Sequence, residues 1–211
     1  MVSRVLYRPF CDEDFDALVS VVRKQWRAQS PNEQTGSLEA ISDLSHYLGI
    51  STFSQVVAVD NDARGIVLAR SGTAPAPNRE RWRQVEAKAL EQLRALDAPV
   101  AQRWEDYMAR EQQVNGELLK QSGCADAGQV TLLAVDANTR GLGIGSVLLD
   151  AAESYLASQG SRALYLYTDT DCTWKFYEHR GLKRTAAHRA TRAERKLLPR
   201  EMYLYSRKLS A

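Results

Sequence analysis

Arg140, Gly143 and Gly145 stand in the spacing Arg-x-x-Gly-x-Gly between an apolar run, Gln129 to Val135, and a segment with Leu148, Leu149, Ala152, Tyr155 and Leu156 at helical intervals. A strand, a glycine-rich turn and a helix in that order make an anion cradle. The turn aims several backbone N–H groups and the positive end of a helix dipole at one point, which suits a phosphate or pyrophosphate. Gly143 and Gly145 lack the Cβ that would hold a ligand away from the backbone. Neither the dinucleotide pattern G-x-G-x-x-G nor the P-loop pattern fits: a third glycine would fall on Ser146 or Leu148, and no Lys-Ser or Lys-Thr follows Gly145. A turn with no ligand is the plain alternative.

A second segment, Cys172-Thr-Trp-Lys-Phe-Tyr177-Glu-His-Arg-Gly181-Leu182, carries Tyr177 four residues ahead of Gly181 and the apolar Leu182. Between the two, Ala163 to Tyr167 reads as a strand. Upstream, the run Val5 to Pro9 is followed by the acidic stretch Asp12-Glu13-Asp14. Phe53 to Val59 and Arg64 to Ala69 suggest a hairpin about Asn61-Asp62, and Met202 to Tyr205 a last strand.

Together these segments resemble the GNAT superfamily of N-acetyltransferases. The resemblance implies an α/β (α+β) GNAT fold, with a mixed, mostly antiparallel central sheet flanked by helices. It implies acetyl-CoA as co-substrate, no metal, and a primary amine of a small molecule or peptide as acceptor. The backbone of Leu133, Ala134 and Val135 would pair with the pantetheine arm, with Val135 N–H as oxyanion donor. The amides of Arg140, Gly141, Leu142, Gly143, Ile144 and Gly145, with Ser146, would hold the pyrophosphate. Tyr177 matches the tyrosine that protonates the leaving thiolate; packing of its ring beside Phe176 is the alternative. Thr170 stands where relatives carry a cofactor-contacting asparagine.

The general base is unassigned at this level. Many relatives place a glutamate on the fourth strand, and Gln129 to Val135 contains no carboxylate. Asp136 reads as a turn residue. Ordered water, Glu39 or Asp43 could take the proton, and His46, His179 and His188 read first as surface residues. Cys172 has no partnered histidine in evidence and reads as a plain thiol. The stretch from Arg184 to Arg200 reads as a basic loop before the last strand, either solvated or attracting an acidic acceptor or the cofactor's 3'-phosphate.

The departure from the family outline is about 73–127. Trp82, Val85, Ala89, Leu93 and Leu96 recur at helical spacing, and after Pro99 a second stripe runs through Val100, Trp104, Tyr107, Met108, Val114 and Leu118, broken by Glu111. A helical hairpin between strands 3 and 4 follows, walling the acceptor site, making a homodimer contact, or packing as decoration. The rest of the chain bounds the answer: 211 residues at 44% hydrophobic content suffice for one domain with a full core, 1–211. No run approaches a membrane span and no signal-peptide pattern opens the chain, so a cytoplasmic protein without membrane partners is expected. A net charge of +2 gives no case for nucleic acid, and the three cysteines show neither metal spacing nor pairing logic. A non-catalytic acyl-CoA-binding module and an interaction protein using the hairpin are the other function classes.

Overall fold

The structure, a computed structural model, describes residues 4–72, 75–139 and 141–209. Among these residues seven strands form one sheet: β1 Val5–Arg8, β2 Phe53–Val59, β3 Asp62–Arg70, β4 Gly128–Val135, β5 Ala163–Asp169, β6 Lys183–Arg189 and β7 Glu201–Lys208. Their order is β1-β2-β3-β4-β5-β7-β6, and every neighbouring pair is antiparallel except β4 with β5. This is the mixed, mostly antiparallel sheet of the GNAT fold. The β2–β3 hairpin closes where Asp60 and Asn61 take left-handed φ of 52° and 74°, a conformation that short Asp and Asn side chains tolerate.

Among the described residues six α-helices cover the two faces: α1 Phe15–Trp26, α2 Glu33–Ile50, α3 Arg79–Leu96, α4 Ala98–Ser122, α5 Ile144–Ser158 and α6 Lys175–His179. On one face Leu148, Leu149, Ala152 and Leu156 of α5 pack on Val57, Val67, Leu164 and Leu166. On the other, Leu18 and Val22 of α1 and Leu44 and Leu48 of α2 cover Val56, Ile66, Leu132 and Ala134. Side chains alternate along a strand. Leu164 and Leu166 of β5 therefore point toward α5, while Tyr165 and Tyr167 join the opposite face.

The insertion is the expected helical hairpin between β3 and β4. Pro99 sits in the first turn of α4, where its missing N–H costs nothing, and Asp97 caps that end by accepting from the Val100 amide at 3.1 Å. Leu93 and Ala89 of α3 pack with Leu38 of α2 and with Ala101 and Trp104 of α4. Further along, Val114 and Leu118 of α4 pack on Tyr165, Met202 and Leu204. The hairpin thus begins against α2 and ends over β5–β7, crossing the face opposite α5.

The basic segment differs from expectation. Arg184 and Arg189 lie in strand β6 rather than in a loop, at the sheet's outer edge. The Arg184 guanidinium lies 3.9 Å from the Tyr203 ring centre and its Nε donates to Tyr205 Oη at 2.9 Å. Arg192, Arg195, Lys196 and Arg200 are exposed.

Candidate active site

The site begins with a defect in the sheet. β4 and β5 pair only at Gly128 with Leu164 and Gln129 with Tyr165. Beyond that point β4 continues along β3 as far as Val135 opposite Gly65, and β5 continues along β7 as far as Asp169 opposite Met202. The two strands splay, so the β4 edge from Val130 to Val135 that faces β5 has no ladder partner among the described residues. Leu133, Ala134 and Val135 lie on this open edge, which can accept an extended chain as a further strand would.

The turn after β4 is held by Asp136. Its Oδ1 accepts from the Asn138 amide at 3.0 Å, and its carbonyl accepts from the Thr139 amide at 3.0 Å and the Thr139 hydroxyl at 2.8 Å. Its other oxygen lies 3.3 Å from Arg64. Asp136 is a turn-forming group with both oxygens occupied. Arg140 lies outside the described residues. Gly141 and Gly143 have φ of 85° and 72°, where a Cβ would be strained. Gly143 precedes α5, and its carbonyl takes the amides of Ser146 and Val147 at 3.0 and 3.2 Å. Ile144 and Gly145 occupy the first two helical positions, whose amides have no acceptor inside a helix. Leu142 is two-thirds exposed and Ile144 is buried.

α6 meets this turn from the other side. A Cβ at Gly145 would stand 3.6 Å from Phe176 Cζ, so the two segments singled out in the sequence are neighbours. Gly181, with φ of 81°, ends the helical turn, and the Leu182 amide returns to the Tyr177 carbonyl at 3.0 Å. The Tyr177 ring packs with Phe176 and Tyr205. Burial, with Cys172 and Asp169 nearby, pushes its hydroxyl above the ordinary phenol value, so the proton is held at neutral pH. The Thr170 hydroxyl accepts from the Glu201 amide at 3.3 Å, tying the end of β5 to β7. The Cys172 thiol is pushed up to about 12 by burial and by Asp169. Such a thiol is inert as a nucleophile.

Across the sheet from α5, charged and aromatic groups gather beneath the hairpin. Arg27, at the end of α1, donates to Asp43 of α2 at 2.9 Å and lies 4.1 Å above the Trp104 ring. Trp104 stacks on Tyr107, and the Tyr107 hydroxyl donates to Glu111 at 2.9 Å. Burial first, then the charge of Asp43, raises the Glu111 carboxyl to about 7, against the smaller opposing effects of Tyr107 and Arg27; Asp169 also contributes upward. The other proton acceptors considered from sequence are engaged. Glu39 takes the Ser30 hydroxyl, Asp43 takes Arg27, and His46 faces Glu86 at 3.4 Å. His188 faces Glu194, which also pairs with Arg110 of α4. His179 is exposed at the end of α6. Glu111 was visible in the sequence only as an interruption of an apolar stripe.

Two surface clefts, of about 410 and 430 Å³, flank the hairpin: one is lined by Gln34, Leu38 and Leu96, the other by Gly49, Arg70 and Leu119 and by Gln129 and Tyr165 where β4 and β5 pair. Among the described residues no three His, Cys, Asp or Glu side chains gather as a metal site, and no helix is long and apolar enough to cross a membrane.

Comparison with known proteins agrees with the geometry. The family model described as "Acetyltransferase (GNAT) family" matches residues 103–182, a span holding β4, the glycine turn, α5, β5 and α6. No curated protein sequence matches the chain. Among solved structures, the chain is similar over 98% of its length to 99% of SsHAT, at 16% identity and a TM-score of 0.63. It is similar over 99% of its length to 96% of the ribosomal-protein-S18-alanine N-acetyltransferase from Escherichia coli, at 11% identity and 0.55. A third is the PaiA N-acetyltransferase from Thermoplasma acidophilum in complex with coenzyme A, at 13% identity and 0.51, with 97% of this chain and 99% of that one covered. Residues 103–182 thus match the GNAT acetyltransferase family model, and the chain as a whole has the GNAT fold.

Proposed function

We propose that the protein transfers the acetyl group of acetyl-CoA to a primary amine of a small molecule or peptide. One observation carries the reading: the open edge of β4 runs straight into a glycine turn whose helix begins against α6. These residues fit the cofactor. The left-handed glycines leave room where a side chain would project, and the first two amides of α5 have no acceptor among the described residues, which suits an anion.

Each part of the chain then has a task. The backbone of Leu133 and Ala134 pairs with the pantetheine arm, and Val135 N–H donates to the thioester oxygen as negative charge develops there. The amides of Gly141 to Gly145 and the Ser146 hydroxyl take the pyrophosphate. Arg140 is assigned to the same group on its sequence position alone. Tyr177 keeps its proton until the thiolate forms, then donates it. Thr170, engaged with β7, retains a hydroxyl proton to offer the cofactor.

The E. coli structure compared above is named for an alanine of ribosomal protein S18, an acceptor of the peptide kind. Incubation of the full chain with acetyl-CoA and a panel of primary amines, read as free-thiol release, tests the assignment. Amine-dependent release above the hydrolytic background is expected. Stabilisation by acetyl-CoA with no turnover for any amine would favour a binding module instead.

A further inference from the structure

We propose that Glu111, carried into the site by the α3–α4 hairpin, is the general base that takes a proton from the acceptor amine. The acceptor then enters beneath the hairpin, on the face opposite α5, as a primary ammonium ion. This rests on the acetyl-transfer reading above and adds to it the residue and the route of entry.

Three observations converge on Glu111. The first is placement. The hairpin passes from α2 to β5–β7 and so crosses the side of the sheet where β4 and β5 part. Asp169, at the end of β5, is the common neighbour of both ends of the site: its charge acts on Glu111 and on Tyr177 alike. The second is availability. Asp169 itself is committed to its turn, accepting from the Asp171 amide at 2.7 Å and facing the Cys172 thiol at 3.5 Å, and Asp43 is held by Arg27. One Glu111 oxygen takes the Tyr107 hydroxyl, and no side-chain bond occupies its second oxygen among the described residues.

The third is the surroundings. Tyr107 faces Glu111 from α4, Asp43, Tyr47 and His46 from α2, Arg27 from the end of α1, and Asp169 from β5. Burial and two carboxylates outweigh one guanidinium and one phenol, and the carboxyl titrates near neutrality. A base poised there exchanges a proton with an ammonium ion without holding it too tightly.

The step balances as follows. The ammonium nitrogen gives one proton to the Glu111 carboxylate, which returns it to water. The freed lone pair forms the C–N bond at the acetyl carbon, and the C–S bond breaks toward sulfur. Tyr177 gives its proton to the thiolate, and the second nitrogen proton restores the phenol.

The test compares wild type, Glu111→Gln and Tyr107→Phe, with n-butylamine, putrescine, phenethylamine and glycylglycine as acceptors. Thiol release is followed from pH 5 to 9, and melting temperature is recorded for each protein alone, with acetyl-CoA, and with each amine. For Glu111→Gln, kcat falls about 100-fold or more at an unchanged KM for acetyl-CoA, and the acidic limb of the wild-type profile disappears. Tyr107→Phe keeps the limb but moves it to higher pH, because the lost hydrogen bond had favoured the carboxylate. Retention of kcat within about threefold and of the acidic limb by a folded Glu111→Gln overturns the proposal.

If wild type turns over none of the four amines, the melting temperatures decide. Stabilisation by amines that is present in wild type and lost in Glu111→Gln supports the proposal, and its absence in wild type overturns it. Failure of the acetyl-transfer reading is separate: it shows as no thiol release with any amine of the wider panel, whether or not acetyl-CoA stabilises the wild type.

Discussion

Gly145 and Phe176 meet face to face: a Cβ on the glycine would lie 3.6 Å from Cζ and 3.7 Å from Cε2 of the ring. That is ordinary van der Waals contact, and it seats α6 on the first turn of α5. Gly145→Ala should therefore fold normally and gain up to about 1 kcal/mol from helix propensity. The new methyl points at the Phe176 ring, so the acetyl-CoA-induced rise in melting temperature should stay near wild type. Gly145→Val drives further carbons into that ring and should lower the melting temperature.

Tyr177→Phe removes one oxygen from a ring that packs with Phe176 and Tyr205. Thermal stability and KM for acetyl-CoA should stay near wild type while kcat drops by about 10- to 100-fold. A rate that stays at the wild-type level, with cofactor affinity also intact, would leave the hydroxyl without a catalytic part.

Gly65 sits opposite Val135, and a Cβ there would lie 2.8 Å from the Ala134 carbonyl oxygen and 3.2 Å from the Val135 Cα. The obstacle is backbone, so β4 itself would have to move. Gly65→Ala should cost about 2 kcal/mol or more in denaturant unfolding. Any folded fraction should show a raised KM for acetyl-CoA, since the displaced segment is the one assigned to the thioester.

Glu111 makes stability depend on pH in a definite direction. Its carboxyl is raised from an ordinary 4.5 to about 7, so the folded state binds the proton more tightly than the unfolded state does. This contribution is complete below about 4.5 and is lost as pH rises through about 7. Glu111→Gln cannot ionise there. Its melting temperature relative to wild type should therefore be higher at pH 8 than at pH 4, and a difference that does not change with pH would contradict the burial described.

The strand–turn–helix of the cofactor side was readable because it is local: apolar β4, glycines in forced conformations, then helical periodicity. Both hairpin helices were readable for the same reason. β6 was not, because Lys183 to Arg189 is an edge strand with one buried side chain, Ala186, and so shows no alternation. The splay of β4 from β5 leaves no trace in either strand, since it depends on which helices pack over each end. Glu111 interrupted a stripe, and only the arrival of Asp43, Arg27 and Asp169 from other elements turns that interruption into a titrating group.

The seam between β4 and β5 also has a mechanical consequence. Two rungs of backbone hydrogen bonding join a four-stranded part to a three-stranded part, so the sheet behaves as two plates riveted at one corner. The α3–α4 hairpin spans the gap like a strap, gripping α2 on one plate and β5–β7 on the other. Prying the plates apart would dismantle the site while leaving each plate's own ladders whole. Amide exchange should therefore report the seam opening at lower free energy than the strands on either side.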